Sequence, residues 1–578
     1  VETEQPLPSY TAELFANPPE ECDIVLKGGV TSGLVYPYAV LELATRYRFR
    51  SIGGTSAGAI AAALAAAAEY ARTHRDDPSG FVRLQKHCDK LPQMLPNLFQ
   101  ARRRYRPLFA FLMRAQRGGG MLSLLLTIPA IAPLAAGAGA LVGGLLLWLL
   151  NGGIAGTVLG ALVGCIASIA FRLIRLVRHE LPGSDFGLCP GLDQPGGQGP
   201  ALTRWLHEAL QDVAFGPDAP STPALSFGDL RGTAADRQID LRVVTTNLGM
   251  GRPHTLPVLG ITAAYSEEEW RDLFPSAVCD QMAASATDVA HMPGLLAFPS
   301  PDQLPVIVAA RMSLAFPLLF SAVPVHVRDF AGAELRRATG AQPVIENRRI
   351  LFADGGISSN FPIHLFDALL PERPTFALSL DDLPGDDALG PERVFIPSTA
   401  RHGFGLPSGE VHSVSAFLGA ALIAAKDWQD QLLSTMPGQR ERIARVLLGP
   451  GEGGFNLTMS PELARSLMQR GLEVGRRFAG GELNFDEHRW RRSLVAYEQL
   501  ERTVAEFHRT WMHGFGAWLA SYLTQVDSYK RLSRAERHEI HKRLDAVAAL
   551  HQNFEPPIAD QTGKLPRPTG VLRVNPRY

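Results

Sequence analysis

The sequence predicts an α/β/α sandwich whose sheet is interrupted by an inserted apolar helical hairpin and followed by a helical C-terminal region. Three observations lead there. Strand-like and helix-like stretches alternate, and the residue patterns that could carry chemistry fall at strand ends, where open α/β sheets gather their sites. Residues 118–171 contain no Asp, Glu, Lys, Arg or His. Beyond residue 404 the spacing of apolar residues is that of helices. The expected organisation is therefore an N-terminal segment (1–21), a first part of the α/β domain (22–100) and a basic-flanked hairpin (101–180). A Gly- and Pro-rich linker (181–200), a second part of the domain (201–404) and the C-terminal helices (405–578) follow.

Cys22 to Leu26 reads as a strand running into Lys27-Gly28-Gly29-Val30-Thr31-Ser32-Gly33, a glycine-rich loop before a helix. Such a loop can present backbone N–H groups to an anion. It lacks the lysine and Ser/Thr that close a Walker loop, and a plain strand-helix turn would look the same. Tyr47 to Ile52 is a second strand, followed by Gly54-Thr55-Ser56-Ala57-Gly58 and the alanine-rich stretch Ala57 to Arg72. This is the pattern of a nucleophile elbow: a sharp strand-turn-helix needs small neighbours and lifts one hydroxyl above the sheet. Ser56 then stands at a helix N-terminus, where free N–H groups and the dipole favour an alkoxide or oxyanion. Ile239 to Asn247 reads as a strand, as does Thr375 to Leu380. Between them, Ile350 to Ala353 reads as a buried strand ending in Asp354-Gly355-Gly356, with Asn360 and Pro362 beyond. A carboxylate there is either part of a simple turn or a base within reach of a nucleophile.

The charge-free stretch has room for two bilayer spans, each needing about 20 apolar residues. Met121 to Leu150 is expected as the first span and Ile154 to Phe171 as the second, joined at Asn151-Gly152-Gly153. Gly152, Gly156, Gly160 and Gly164 recur every four residues, and Gly139 and Gly143 repeat the spacing. Small residues so placed let helices approach closely in lipid. Arg102, Arg103, Arg104, Arg106, Arg114 and Arg117 precede the hairpin, and Arg172, Arg175 and Arg178 follow it. Basic residues on both shoulders place both in the cytoplasm under the positive-inside rule. The competing readings are a buried core helix pair for the apolar stretch and a nucleic-acid surface for the arginines.

Together these segments resemble the patatin-like phospholipases. The resemblance rests on the glycine loop at 28–33, the elbow at 54–58 and Asp354-Gly355-Gly356, in that order. Ala310 to Val325, with Ala315, Pro317 and Phe320, is similar to the segment leading into that family's last catalytic strand. The resemblance implies a patatin-like α/β/α sandwich and a serine acyl hydrolase acting on phospholipid or another acyl-ester lipid. Ser56 would be nucleophile and Asp354 general base, a dyad without histidine. Backbone N–H groups of Gly28 and Gly29, with Val30 as a third, would hold the oxyanion. Gly33, Gly54, Gly58, Gly355 and Gly356 are the remaining motif positions. The loop departs from the family pattern: Val30 replaces the third glycine, Ser32 replaces the basic residue, and Lys27 is the only adjoining cation. A non-catalytic membrane scaffold keeping the fold is one alternative, and a Ser-His-Asp esterase is the other. Among the histidines after Asp354, His364 is the nearest.

At 578 residues, 46% of them hydrophobic, the chain can bury a sizeable core. A net charge of -1 gives no overall attraction to nucleic acid, and none is expected as partner. Five scattered cysteines without a C-x-x-C suggest a reducing compartment and no zinc site. No cofactor is expected, and no acidic cation loop is visible. Val1 to Glu21 lacks the basic start and apolar core of a cleaved signal peptide. Trp490, Leu494, Tyr497, Leu500, Val504, Phe507 and Trp511 fall on one helical face, expected to pack on the α/β core, with a partner surface as the competing reading. Ser533 to Glu536 reads as a capping box.

Overall fold

The computed structural model describes residues 6–29, 31–116, 133–150, 153–289, 291–383, 392–397, 411–412, 417, 420–421, 424, 430–449, 451–454, 456–457, 459–526, 531–558 and 565. Thirteen strands are found among them. They are β1 (Glu20–Leu26), β2 (Tyr47–Thr55), β3 (Gly187–Cys189), β4 (Asp240–Asn247), β5 (Arg252–Leu256), β6 (Ala263–Tyr265) and β7 (Leu296–Ala297). Next come β8 (Leu318–Phe320), β9 (Val323–Asp329), β10 (Glu346–Asp354), β11 (Thr375–Asp382), β12 (Val394–Phe395) and β13 (Ile443–Leu448).

The main sheet runs β12-β13-β11-β1-β2-β4-β10-β9-β6-β7, with β5 also paired to β4. From β13 to β4 its neighbours are parallel. From β4 outward they are antiparallel. The fold is thus mixed α/β with a large sheet and many helices. β1 shows why the centre is stable: Cys22 to Leu26, Asp23 included, are buried, the continuous run expected of a strand covered on both faces. The helix Ala57–His74 lies against β2 and β4 and packs on the helices Ser79–Met94 and Leu202–Phe215.

Several elements exceed or cross their expected bounds. β2 continues through Thr55, directly into the elbow. β10 begins at Glu346, four polar residues before its buried half, so the apolar run marks only its end. The stretch 181–200 is not a simple linker. It contributes β3, paired in parallel with β8, and buries Leu188 and Cys189. The boundary at 404 also moves, because β13 joins the sheet beside β11. A six-residue strand inside otherwise helical sequence has too short an apolar run to announce itself.

Two apolar helices, Pro133–Leu149 and Gly153–Arg175, form an antiparallel pair. The second continues to Glu180, 28 residues in all, and is the one helix among the described residues long and apolar enough to cross a membrane. It thus outruns the expected span of 154–171 at both ends. The first has 17 residues, and the earlier part of its expected span, 121–132, lies outside the described residues, as do Arg117, Asn151 and Gly152. Leu141, Leu145, Val158, Leu162 and Ile166 are exposed. The glycine stripe is real but shorter than its spacing suggests. A β-carbon on Gly139 or Gly143 would collide with the carbonyl of Gly164 or Gly160 across the pair, whereas Gly156 faces open space. At the hairpin's base Tyr105 Oη donates to the Glu180 carbonyl (2.6 Å), and Arg172 Nη2 pairs with Glu180 Oε2 (3.0 Å).

In the C-terminal region the capping box at Ser533 and Glu536 forms. The aromatic face does not pack as a unit on the α/β core. Trp490 and Leu500 are exposed, while Trp511 is buried and donates through Nε1 to Asp545 on the helix Arg534–Ala549 (2.6 Å). The five cysteines are all free.

Candidate active site

Ser56 leaves β2 and opens the helix Ala57–His74 with φ 56° and ψ -126°. A side-chain-bearing residue held there stores about 1–3 kcal/mol of strain, so its surroundings must impose the geometry. Ser56 N–H donates to Ser313 Oγ (2.9 Å), which donates in turn to the Val244 carbonyl (2.6 Å). Ala57 N–H donates to the Gly29 carbonyl (3.1 Å). The flanking glycines are required by close approach. A β-carbon on Gly54 would strike the Gly58 carbonyl, and one on Gly58 would strike the carbonyls of Leu26 and Lys27 at the end of β1.

Sheet register brings Asp354 to the level of Ser56. Thr55 on β2 stands beside Val244 on β4, and Asp354 at the end of β10 stands beside the next residue, Thr245. Because β10 runs antiparallel to β4, its carboxyl end meets the elbow across β4. Ser56 and Asp354 are both buried. Asp354 Oδ1 accepts from Gly356 N–H (2.7 Å), its own N–H donates to the Ala315 carbonyl (3.0 Å), and Thr246 Oγ1 donates to its carbonyl (2.8 Å). Gly355 lies too close to the Val244 carbonyl to carry a β-carbon.

The glycine loop is placed less simply. Gly28 N–H, expected as an oxyanion donor, donates to the Asn360 carbonyl (2.7 Å). Gly29 N–H has no protein acceptor among the described residues, and its carbonyl lies 3.4 Å from Ser56 Oγ. Val30 lies outside the described residues. Gly33 abuts Ala57, where a β-carbon would come within 2.7 Å of the Ala57 methyl. Lys27 is turned to Asp381 (Nζ to Oδ1, 2.6 Å), which Arg445 also contacts (2.9 Å). Burial opposes the charge on Asp381, but the two cations outweigh it and hold the carboxyl at about 2. Thr31 Oγ1 donates to the Gly454 carbonyl (3.3 Å), so a loop from the C-terminal region closes over the glycine loop.

An apolar cavity opens beside the elbow between Thr31, Gly33 and Ala57. It follows one face of the elbow helix past Ile60 and Ala61 to Leu64, seven residues or about 10 Å along the axis. Leu95, Trp205 and Phe316 wall its other side. Ser313, Thr246 and Gly454 escape sequence reasoning, and Asn360 carries no role in it. Each acts through a long-range contact. Ser313 stands two residues before Ala315 and Asn360 four after Gly356, whereas Thr246 and Gly454 lie beside no motif. Among the described residues no histidine nitrogen lies within hydrogen-bond distance of Ser56 Oγ. His364 is exposed, and His254 gives Nδ1 to the Leu259 carbonyl (2.7 Å).

A family model described as patatin-like phospholipase matches residues 24–125, which include the glycine loop and the elbow. The RpoH suppressor of Rhizobium meliloti (strain 1021) is 33% identical over 644 aligned positions, covering 97% of this chain and 99% of that protein. VipD from Legionella pneumophila matches with a TM-score of 0.29 at 14% identity, covering 94% of this chain and 89% of its own. The ExoU–SpcU complex of Pseudomonas aeruginosa matches with a TM-score of 0.28 at 16% identity, covering 92% and 67%. Scores this low add no structural argument. The chain belongs to the patatin-like phospholipase family.

Proposed function

We propose that this protein is a membrane-anchored serine lipid acyl hydrolase that cleaves acyl esters of membrane lipids, phospholipids foremost, through a Ser56–Asp354 dyad. The observation that carries the reading is the strained Ser56 elbow, held at the same sheet level as the Asp354 carboxylate. Serine is a weak nucleophile at its ordinary pKa, so Asp354 takes its proton as Oγ adds to the ester carbonyl. The tetrahedral oxyanion is held by N–H groups of the glycine loop, Gly29 foremost, beside the helix start. Collapse expels the alcohol with the proton from Asp354 and leaves an acyl-enzyme, which water hydrolyses by the reverse proton route. The apolar cavity takes the acyl chain, and burial of its methylenes contributes about 0.8 kcal/mol each.

In the same reading the hairpin crosses the bilayer twice, with the catalytic domain and the C-terminal region in the cytoplasm. Its exposed apolar side chains and glycine-mediated packing support this, as do the arginines on both shoulders, which resist translocation. An even number of crossings keeps Ser56 and Asp354 on one side. The test is labelling by a fluorophosphonate probe together with hydrolysis of phospholipid vesicles. Wild type should label and turn over, Ser56→Ala should do neither, and Asp354→Asn should lose turnover by orders of magnitude while remaining folded. Equal hydrolysis by wild type and Ser56→Ala would end the enzymatic reading. Retention of activity in Asp354→Asn with loss on removal of one histidine would replace the dyad by a triad.

A further inference from the structure

We infer that Asn360 is a third catalytic residue, its side-chain amide donating to the oxyanion in place of the Gly28 N–H. The inference rests on the Ser56–Asp354 reading above and adds a residue to it. Two parts of the site meet at Asn360. Its backbone carbonyl accepts from Gly28 N–H (2.7 Å), which ties the Asp354-Gly355-Gly356 turn to the glycine loop and removes one expected donor from the hole. Its side chain fills the gap between them. A β-carbon built on Gly28 would collide with Asn360 Oδ1 and lie 3.4 Å from Ser56 Cβ. One built on Gly356 would lie 2.8 Å from both Asn360 Oδ1 and Asp354 Oδ1. The Oδ1 end of the amide therefore lies close to both Ser56 and Asp354. Asn360 is half-buried, and among the described residues no protein group accepts from its Nδ2. In the proposed arrangement Nδ2 is the end that faces the reacting carbonyl.

Chemically, Asn360 transfers no proton. As Ser56 Oγ bonds to the carbonyl carbon, the C=O π pair moves to oxygen and the hydroxyl proton passes to Asp354. Nδ2–H strengthens its hydrogen bond to that oxygen and relaxes when the leaving C–O bond breaks and the proton goes to the departing alkoxide. A side-chain amide is a proper donor for this purpose, and loss of one such donor costs about 10²–10³ in turnover.

The test compares full-length wild type, Ser56→Ala, Asn360→Ala and the near-isosteric Asn360→Asp in detergent. Measurements are kcat and KM on a soluble short-chain ester and its thionoester, plus thermal melting. Both Asn360 variants keep the backbone carbonyl that holds Gly28. The expected result is a fall in kcat of roughly a hundredfold or more with KM and melting little changed. The preference for oxo over thiono substrate should also shrink, because sulfur accepts weaker hydrogen bonds and the lost donor is the one that discriminates. Wild-type kcat in Asn360→Ala, with Ser56→Ala inactive, would overturn the Asn360 assignment alone. Loss of kcat with an unchanged oxo/thiono ratio, or with lowered melting and raised KM, would make Asn360 structural and also overturn it. Wild-type activity in Ser56→Ala would instead remove the reading on which it rests.

Discussion

Replacing Ser56 with glycine should abolish turnover and yet make the protein more stable than wild type. Ser56 holds φ 56° and ψ -126°, and its side chain makes no capping bond to its own helix. Relief of that conformation is worth about 1–3 kcal/mol. Against it stands the greater freedom of glycine in the unfolded chain, about 0.5–1 kcal/mol. The substitution removes one side-chain hydrogen bond, the long 3.4 Å approach of Oγ to the Gly29 carbonyl. The net is a gain of about 1 kcal/mol, or roughly 2–4 °C in melting temperature for a unit of 150–250 residues. At an ordinary helix start, serine to glycine costs a few tenths of a kcal/mol, so the sign itself is diagnostic. Ser56→Ala is the control, since it keeps the β-carbon and the strain while losing the hydroxyl. The assay is thermal or urea unfolding of the three proteins in one detergent, with ester hydrolysis in parallel. A glycine variant unfolding at or below wild type would refute the claim that the elbow is held against its preference.

Two further outcomes follow from the same geometry. Asp381, held at about 2 by Lys27 and Arg445 once burial is overcome, has a folded value below its unfolded one. Its contribution, about 2 kcal/mol, is present above roughly pH 4 and lost as pH falls through about 2. Asp381→Asn should therefore destabilise at neutral pH and flatten the acid limb of the stability profile, measured by unfolding between pH 2 and 7. An unchanged acid limb would argue against the ion-pair account. In the hairpin, Gly160→Leu places a β-carbon against the Gly143 carbonyl and should cost about 1–3 kcal/mol, whereas Gly156→Leu meets open space and should be tolerated. Limited proteolysis and melting of the detergent-solubilised protein read the difference, and equal effects of the two substitutions would contradict the packing.

The sequence alone determined the features that depend on neighbouring residues. The elbow was legible because a sharp strand-turn-helix admits only small residues at 54 and 58, where a β-carbon would meet backbone. The strand ends before Lys27 and Asp354 were legible as short apolar runs, and the capping box at Ser533 from its spacing. The long apolar helix was legible from its lack of charge. Tertiary structure decided which partner each polar group takes. Nothing local says that Gly28 gives its N–H to Asn360, that Lys27 turns to Asp381, or that Ser313 holds the strained Ser56 backbone. It also decided that β13 belongs to the sheet and that Gly156 lies off the packed stripe. A local pattern specifies a conformation through sterics and burial over a few residues. A hydrogen-bond partner hundreds of positions away is fixed only when sheet register sets β1, β2, β4 and β10 side by side.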